Sequence, residues 1–189
     1  MSRFDLLIHW EIDAIERLLD EVPPFLSEHA KHARLVGRTG FLPNGRLSEE
    51  EVYLTARVLI YEAIIYHLNA VVDWVLLALA TRILPPEWGL TPQAQSMSRV
   101  QLIKAIESRY DVALKQLPRW NQIEELRKAA NALKHRGGSH LPEPSSLGIP
   151  VFHQVDIRPE SLKMLLAGTR EWLLHLWDST EGGGNLDSA

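Results

Sequence analysis

A chain of 189 residues, 46% hydrophobic and 23% charged, has the size and composition of one globular domain able to bury a core. It contains no cysteine, which excludes disulfides, zinc–thiolate sites and thiol nucleophiles and fits a reducing cytoplasm. The net charge of −4 is unevenly spread: Met1–Ala30 holds two basic against seven acidic residues, whereas Lys115–His140 holds six basic against two acidic, a local basicity suited to an anionic partner.

Apolar residues recur at three- and four-residue intervals almost everywhere, so the chain reads as a series of helices. The start, MSRFDLLIHWEID, lacks the pattern of a signal peptide. A first helix is predicted from about Asp5 to Asp20, ended by Pro23 and Pro24, and a second from behind those prolines to near Gly37. A Gly/Pro/Asn-rich loop, GRTGFLPNGR, follows. Ser48-Glu49-Glu50-Glu51 is a capping box that opens a third helix, expected to be the longest and central one, running to Leu84 before Pro85-Pro86. Its most apolar stretch, Ala63–Ala80, carries His67, Asn69 and Asp73, which lipid would tolerate poorly, so it is read as a buried helix and no membrane span is expected.

A fourth helix is predicted over roughly Ser98–Tyr110. A fifth has Pro118 in its first turn and ends at Arg136, with Gly137 as its cap. The stretch 137–158 reads as a long loop whose end could pair as a short extended segment. Pro159 opens a sixth helix to about Asp178. The expectation is one all-α domain over residues 1–180, an up-and-down bundle of about six helices, with a disordered tail over 181–189. Most of the six tryptophans, Trp10, Trp74, Trp120, Trp172 and Trp177 among them, fall on apolar faces and are read as core or dimer interface.

Polar residues inside the apolar helices set the functional question. With about 100° per residue, Thr55, Glu62, Tyr66, Asn69 and Asp73 share one narrow stripe of the third helix. A carboxylate or amide buried there needs a hydrogen-bonded or charged partner. On the fifth helix Arg127, Asn131 and His135 also form a single stripe, and the two are expected to face each other, with Arg127 near Glu62 or Asp73. In one reading the seam is structural and fixes helix register. In the other, His135 is an acid/base group at the helix end, where the macrodipole favours the imidazolium and Gly137-Gly138 leave room for a substrate.

The segment Asn131-Ala-Leu-Lys-His135, on a late basic helix followed by glycine, resembles the HEPN superfamily of all-α domains. That signature is an arginine, four to six residues, then histidine. Here seven residues separate Arg127 from His135, Ala130 stands where the arginine is usual, and Lys128 gives a six-residue gap without the planar guanidinium fork. The resemblance implies a homodimer binding RNA and cutting it without metal, as a toxin or defence protein with an antitoxin or other partner protein. His135 would move a proton during attack by a ribose 2′-hydroxyl, with Asn131 beside it. Arg127 or Arg136 would steady the phosphorane, and Lys128, Lys134 and Arg136 would hold the RNA. Glu62, Tyr66, Asn69 and Asp73 would be the accompanying polar group. Arg127 and His135 lie about 12 Å apart along one helix, so the catalytic version needs two subunits. The competing reading is a non-catalytic helical homodimer whose polar seam is structural.

No cofactor or metal is expected. There is no Glu-x-x-His pair of the di-metal bundles, and His29-x-x-His32 sits in a polar, solvated helix. Glu171 and His175 read as a surface pair, and neither a phosphate-binding glycine loop nor a Gly-x-Ser-x-Gly elbow is present.

Overall fold

A computed structural model of the chain describes residues 3–39, 48–81, 97–134 and 159–180. Among the described residues the structure is helical, without strands: α1 (Arg3–Leu35), α2 (Glu49–Thr81), α3 (Arg99–Tyr110), a 3₁₀ turn (Leu114–Gln116), α4 (Trp120–Lys134) and α5 (Pro159–Ser179). The segments 137–158 and 181–189, read above as a loop with a short extended end and as a tail, lie outside the described residues, as does the predicted end of the third helix at Leu84.

The first two predicted helices are one. α1 runs for 33 residues through Pro23 and Pro24, although neither proline offers an amide and each crowds the carbonyl four residues back. The reason lies in packing. Ile8, Ile12, Ile15 and Leu19 before the prolines, and Ala30 and Ala33 after them, are all buried, and Pro23 lies buried on the same stripe. Positions 8, 12, 15, 19, 23, 26, 30 and 33 keep the four–three spacing without a change of phase. Stopping the helix at Asp20 would leave the second half of that stripe without its support. Just past the prolines, the Ser27 hydroxyl donates to the Pro23 carbonyl at 2.8 Å.

α1 and α2 form an antiparallel pair, the most extensive contact in the fold. Glu11 meets His67 (Oε2 to Nε2, 2.8 Å), Ser27 accepts from Arg57 Nη1 at 3.1 Å, and Arg34 Nε donates to Glu50 Oε1 at 2.6 Å. At the open end of the pair Arg38 bonds Glu49 at 2.7 Å. This clasp puts cations at the C-terminus of α1 and carboxylates at the N-terminus of α2, as the helix dipoles prefer. Ser48 caps α2 through its hydroxyl, which accepts from the Glu51 amide at 3.2 Å.

Over the described residues α2 and α1 are each 33 residues long, and α2 packs against each of the other four helices. By length and composition Glu49–Ala80 would suffice to cross a membrane, but most of it is covered by the rest of the protein. α3 lies along its second half. Arg109 donates to the Leu79 and Ala80 carbonyls and Tyr110 to Leu79, satisfying groups that a helix C-terminus leaves free.

α4 begins at Trp120 rather than at Pro118, because Arg119 adopts a left-handed φ of 69° that no helix can include. α5 runs antiparallel to both α4 and α1. Arg119 pairs with Glu171, and Lys163 and Arg170 pair with Asp20 and with Asp13 and Glu16. At the α4–α5 contact a Cβ on Gly168 would meet the end of the Gln122 side chain, which would have to swing aside to make room. Trp172 is fully buried, its ring 5.9 Å from that of Trp120, and Trp177 is buried as well; Trp10, by contrast, is 78% exposed. One apolar core joins all five helices.

Candidate functional site

The polar residues of α2 separate along its length. Asn69 and Asp73, one turn apart, are half-buried and bonded to each other, the Asn69 amide donating to Asp73 Oδ2 at 2.9 Å. Glu62 is half-buried, whereas Thr55 and Tyr66 face outward. Of the five expected residues, Asn69 and Asp73 are bonded to each other at the C-terminal end of the stripe, while the Tyr66 side chain lies at the surface.

The partner of that cluster is Arg99, which the sequence reading did not single out. Arg99 Nη1 lies 3.2 Å from Asp73 Oδ1 and donates to Asn69 Oδ1 at 3.1 Å. Its side chain is only 14% exposed. Local sequence places it there. Ser98 caps α3 in a complete capping box, its hydroxyl accepting from the Gln101 amide while Gln101 Oε1 accepts from the Ser98 amide at 2.7 Å. Arg99 is thus the first residue of α3, where the macrodipole disfavours a cation. A carboxylate elsewhere in the fold has to compensate, and Asp73 is that carboxylate. A basic residue directly after a strong N-cap was the readable signal.

Arg127 stands beside this cluster but bonds on its own helix. Its Nη2 and Nε donate to Glu124 at 2.9 and 3.3 Å. Asp73 and Arg127 are close enough for the guanidinium to favour the Asp73 carboxylate, and Glu124 acts likewise on Arg99. The structure brings together Asn69, Asp73, Arg99, Glu124 and Arg127, two cations against two carboxylates.

Burial is the largest influence on the central pair. It raises the Asp73 carboxyl above its ordinary value, against the pull of Arg99, Asn69 and Arg127. It lowers the Arg99 guanidinium, against Asp73 and Glu124, with Arg127 adding repulsion. The Nε and Nη2 atoms of Arg99 are buried without a hydrogen-bond partner. Such a cluster is suited to locking α2, α3 and α4 in register, because a one-turn slip would strand a charge in the core.

The other candidates on α4 sit apart from it. Asn131, Lys128 and Lys134 are exposed, and Lys128 is paired with Glu125 at 2.9 Å. Two of the basic residues of this helix are thereby matched by glutamates three positions earlier. His135 and Arg136 lie outside the described residues. His29 is stacked between Phe25 and Tyr53, with Nδ1 2.9 Å from the Phe25 carbonyl, and Glu171 pairs with Arg119 rather than His175. Among the described residues no three His, Asp or Glu side chains gather as a metal site would require.

A groove of about 440 Å³ runs between α1 and α5. Leu19, Leu166 and Leu174 line it, and the cations on its walls, Lys163 and Arg170, are engaged by Asp20, Asp13 and Glu16. Comparison of the chain with family models, with curated proteins and with solved structures gave no match.

Proposed function

We propose that this protein is a HEPN-like helical bundle that works as a non-catalytic, homodimeric interaction protein of the cytoplasm, its polar seam structural. The observation that supports this reading best is the mutual engagement of Asn69, Asp73 and Arg99, with Arg127 turned to Glu124. A catalytic or phosphate-binding constellation needs donors aimed at open space. Here the best-placed guanidinium, that of Arg99, points into a cluster of its own chain. The homodimer also supplies cover for the apolar surface that α2 leaves exposed, at Leu59 above all.

A second reading, a metal-independent RNA-binding protein or endoribonuclease with an antitoxin or other partner, draws support from α4. Lys128, Asn131 and Lys134 are exposed along the helix that leads to His135 and Arg136. Arg127, 39% exposed beside them, could exchange Glu124 for a phosphate. One experiment separates the two. Purified protein is incubated with total RNA, with and without a chelator, alongside the His135→Ala and Arg127→Ala variants. The interaction reading expects intact RNA throughout. Cleavage by the wild type that is insensitive to chelator and lost in either variant would establish the second reading instead.

A further inference from the structure

α1 carries a second apolar stripe besides the one it buries. Trp10, Ala14, Leu18 and Phe25 are exposed, the tryptophan at 78% and the phenylalanine at 55%. At about 100° per residue the four fall within about 80° of one another, roughly a third of a turn round the helix from the buried stripe. The prolines do not scatter them, since the helix keeps its phase across the break. One aromatic is already held in place. The Phe25 ring lies 4.0 Å from that of His29, which in turn lies 5.3 Å from Tyr53 on α2.

The charge of this surface has one sign. Met1–Ala30 holds seven acidic against two basic residues. Asp13, Glu16 and Asp20, on the side toward α5, are met by Arg170 and Lys163. Glu21 and Glu28 stand exposed in the apolar sector itself, and among the described residues neither has an ion-pair partner.

We infer that this stripe docks an amphipathic helix of a different protein, apolar along one face and flanked by lysine or arginine. The inference adds a partner to the homodimer proposed above and does not depend on it. Tryptophan and phenylalanine about 22 Å apart supply two anchors, the residue types that dominate interface energies, along four turns of a facing helix. The two free glutamates choose the occupant by charge. Cationic flanks on the incoming helix would pair with them, whereas a second copy would bring like charges together and an anionic lipid surface would repel them.

The probe is a labelled helical peptide of about 20 residues, leucine along one face and lysine on both flanks, titrated with the full chain by fluorescence anisotropy. It should bind, more weakly as salt rises, and the same peptide with glutamate for lysine should not. The Trp10→Ala/Phe25→Ala chain should keep the helical circular dichroism and lose affinity at least about tenfold. Glu21→Lys/Glu28→Lys should weaken the lysine peptide and admit the glutamate one. Leu59→Ala, on α2, should leave binding unchanged.

Failure of both peptides to bind, equal binding of the two, or wild-type affinity in the Trp10→Ala/Phe25→Ala chain overturns the assignment. A sedimenting dimer that this variant dissociates also overturns it, giving the stripe to a second copy. Flotation with phosphatidylcholine vesicles that the variant abolishes gives the stripe to lipid and overturns it too. A wild type that sediments as a monomer while binding the lysine peptide through Trp10 and Phe25 upholds this inference and overturns only the homodimer reading.

Discussion

Over the described residues the two long helices have the same length and opposite organisation. α1 gathers its apolar side chains on one stripe toward α2 and α5 and gives its outer faces mainly to charge. It survives two internal prolines because that stripe stays in phase across them. α2 has no proline and no sharp polar face. It pairs Glu49, Glu50, Arg57 and His67 with α1, holds Asn69 and Asp73 against Arg99 near its other end, and leaves an apolar sector exposed. A helix with one buried stripe tolerates prolines when the stripe stays in phase across them, here with Pro23 buried on it and Pro24 exposed; a helix apolar all round needs partners on every side.

This contrast can be tested. The largest effect is expected in the covered part of α2. Leu76 is fully buried, and Leu76→Ala should destabilise by about 3 kcal/mol in urea unfolding. A loss below about 1 kcal/mol would mean that the inner face of α2 is loosely packed. Next comes the defect in α1. Pro24 is exposed, and Pro24→Ala would restore a helical amide four residues after Asp20. It should raise stability by about 2 kcal/mol and increase Tm. A fall would show that the proline shapes the α1–α2 contact rather than merely being tolerated by it.

The polar cluster separates charge from hydrogen bonding. Asp73→Leu removes the acceptor used by Asn69 and leaves Arg99 without its carboxylate, at a cost of about 1–2 kcal/mol, with solvent screening limiting the loss. Asp73→Asn keeps an acceptor for Asn69 and sheds a charge that burial disfavours but, like the leucine, takes the carboxylate from Arg99, so it should cost less than Asp73→Leu, about 1 kcal/mol or below.

The pH dependence has a definite sign. The Asp73 carboxyl titrates above its ordinary 3.8 in the folded protein. Between 3.8 and that raised value the folded chain holds a proton that the unfolded chain has lost. The contribution of Asp73 to stability is therefore greatest at the acid end of this window and declines as pH rises through it. Subtracting the Asp73→Asn unfolding curves from those of the wild type, from about pH 3.5 upward, should isolate the decline. A difference that instead grows with pH would give Arg99 the upper hand over burial. The smallest effect belongs to the outer sector of α2, where Leu59→Ala should change the stability of the dissociated chain by less than about 0.5 kcal/mol.

The helical class, the Ser48 cap and the extents of α3 and α5 to within a residue or so were legible from periodicity and caps, because those signals act over a few residues. The break at Pro23-Pro24 was read from a local rule, while the unbroken four–three spacing through position 33 held the better signal. Asn69 and Asp73 were found because a carboxylate and an amide on an apolar helix are conspicuous. Arg99 was missed because its significance is relational: its partner is 26 positions earlier, and only the packing of α3 on α2 joins them.

The sequence by itself determined which segments are helices, that Ser48 caps α2, and which polar groups would need partners, since these depend on neighbours three or four residues away. Tertiary structure alone decided that α1 continues through its prolines, that Arg99 rather than Arg127 answers Asp73, and that Tyr66 and Leu59 face outward. These outcomes turn on which helix covers which, and that is set by filling one shared core across long separations in the chain.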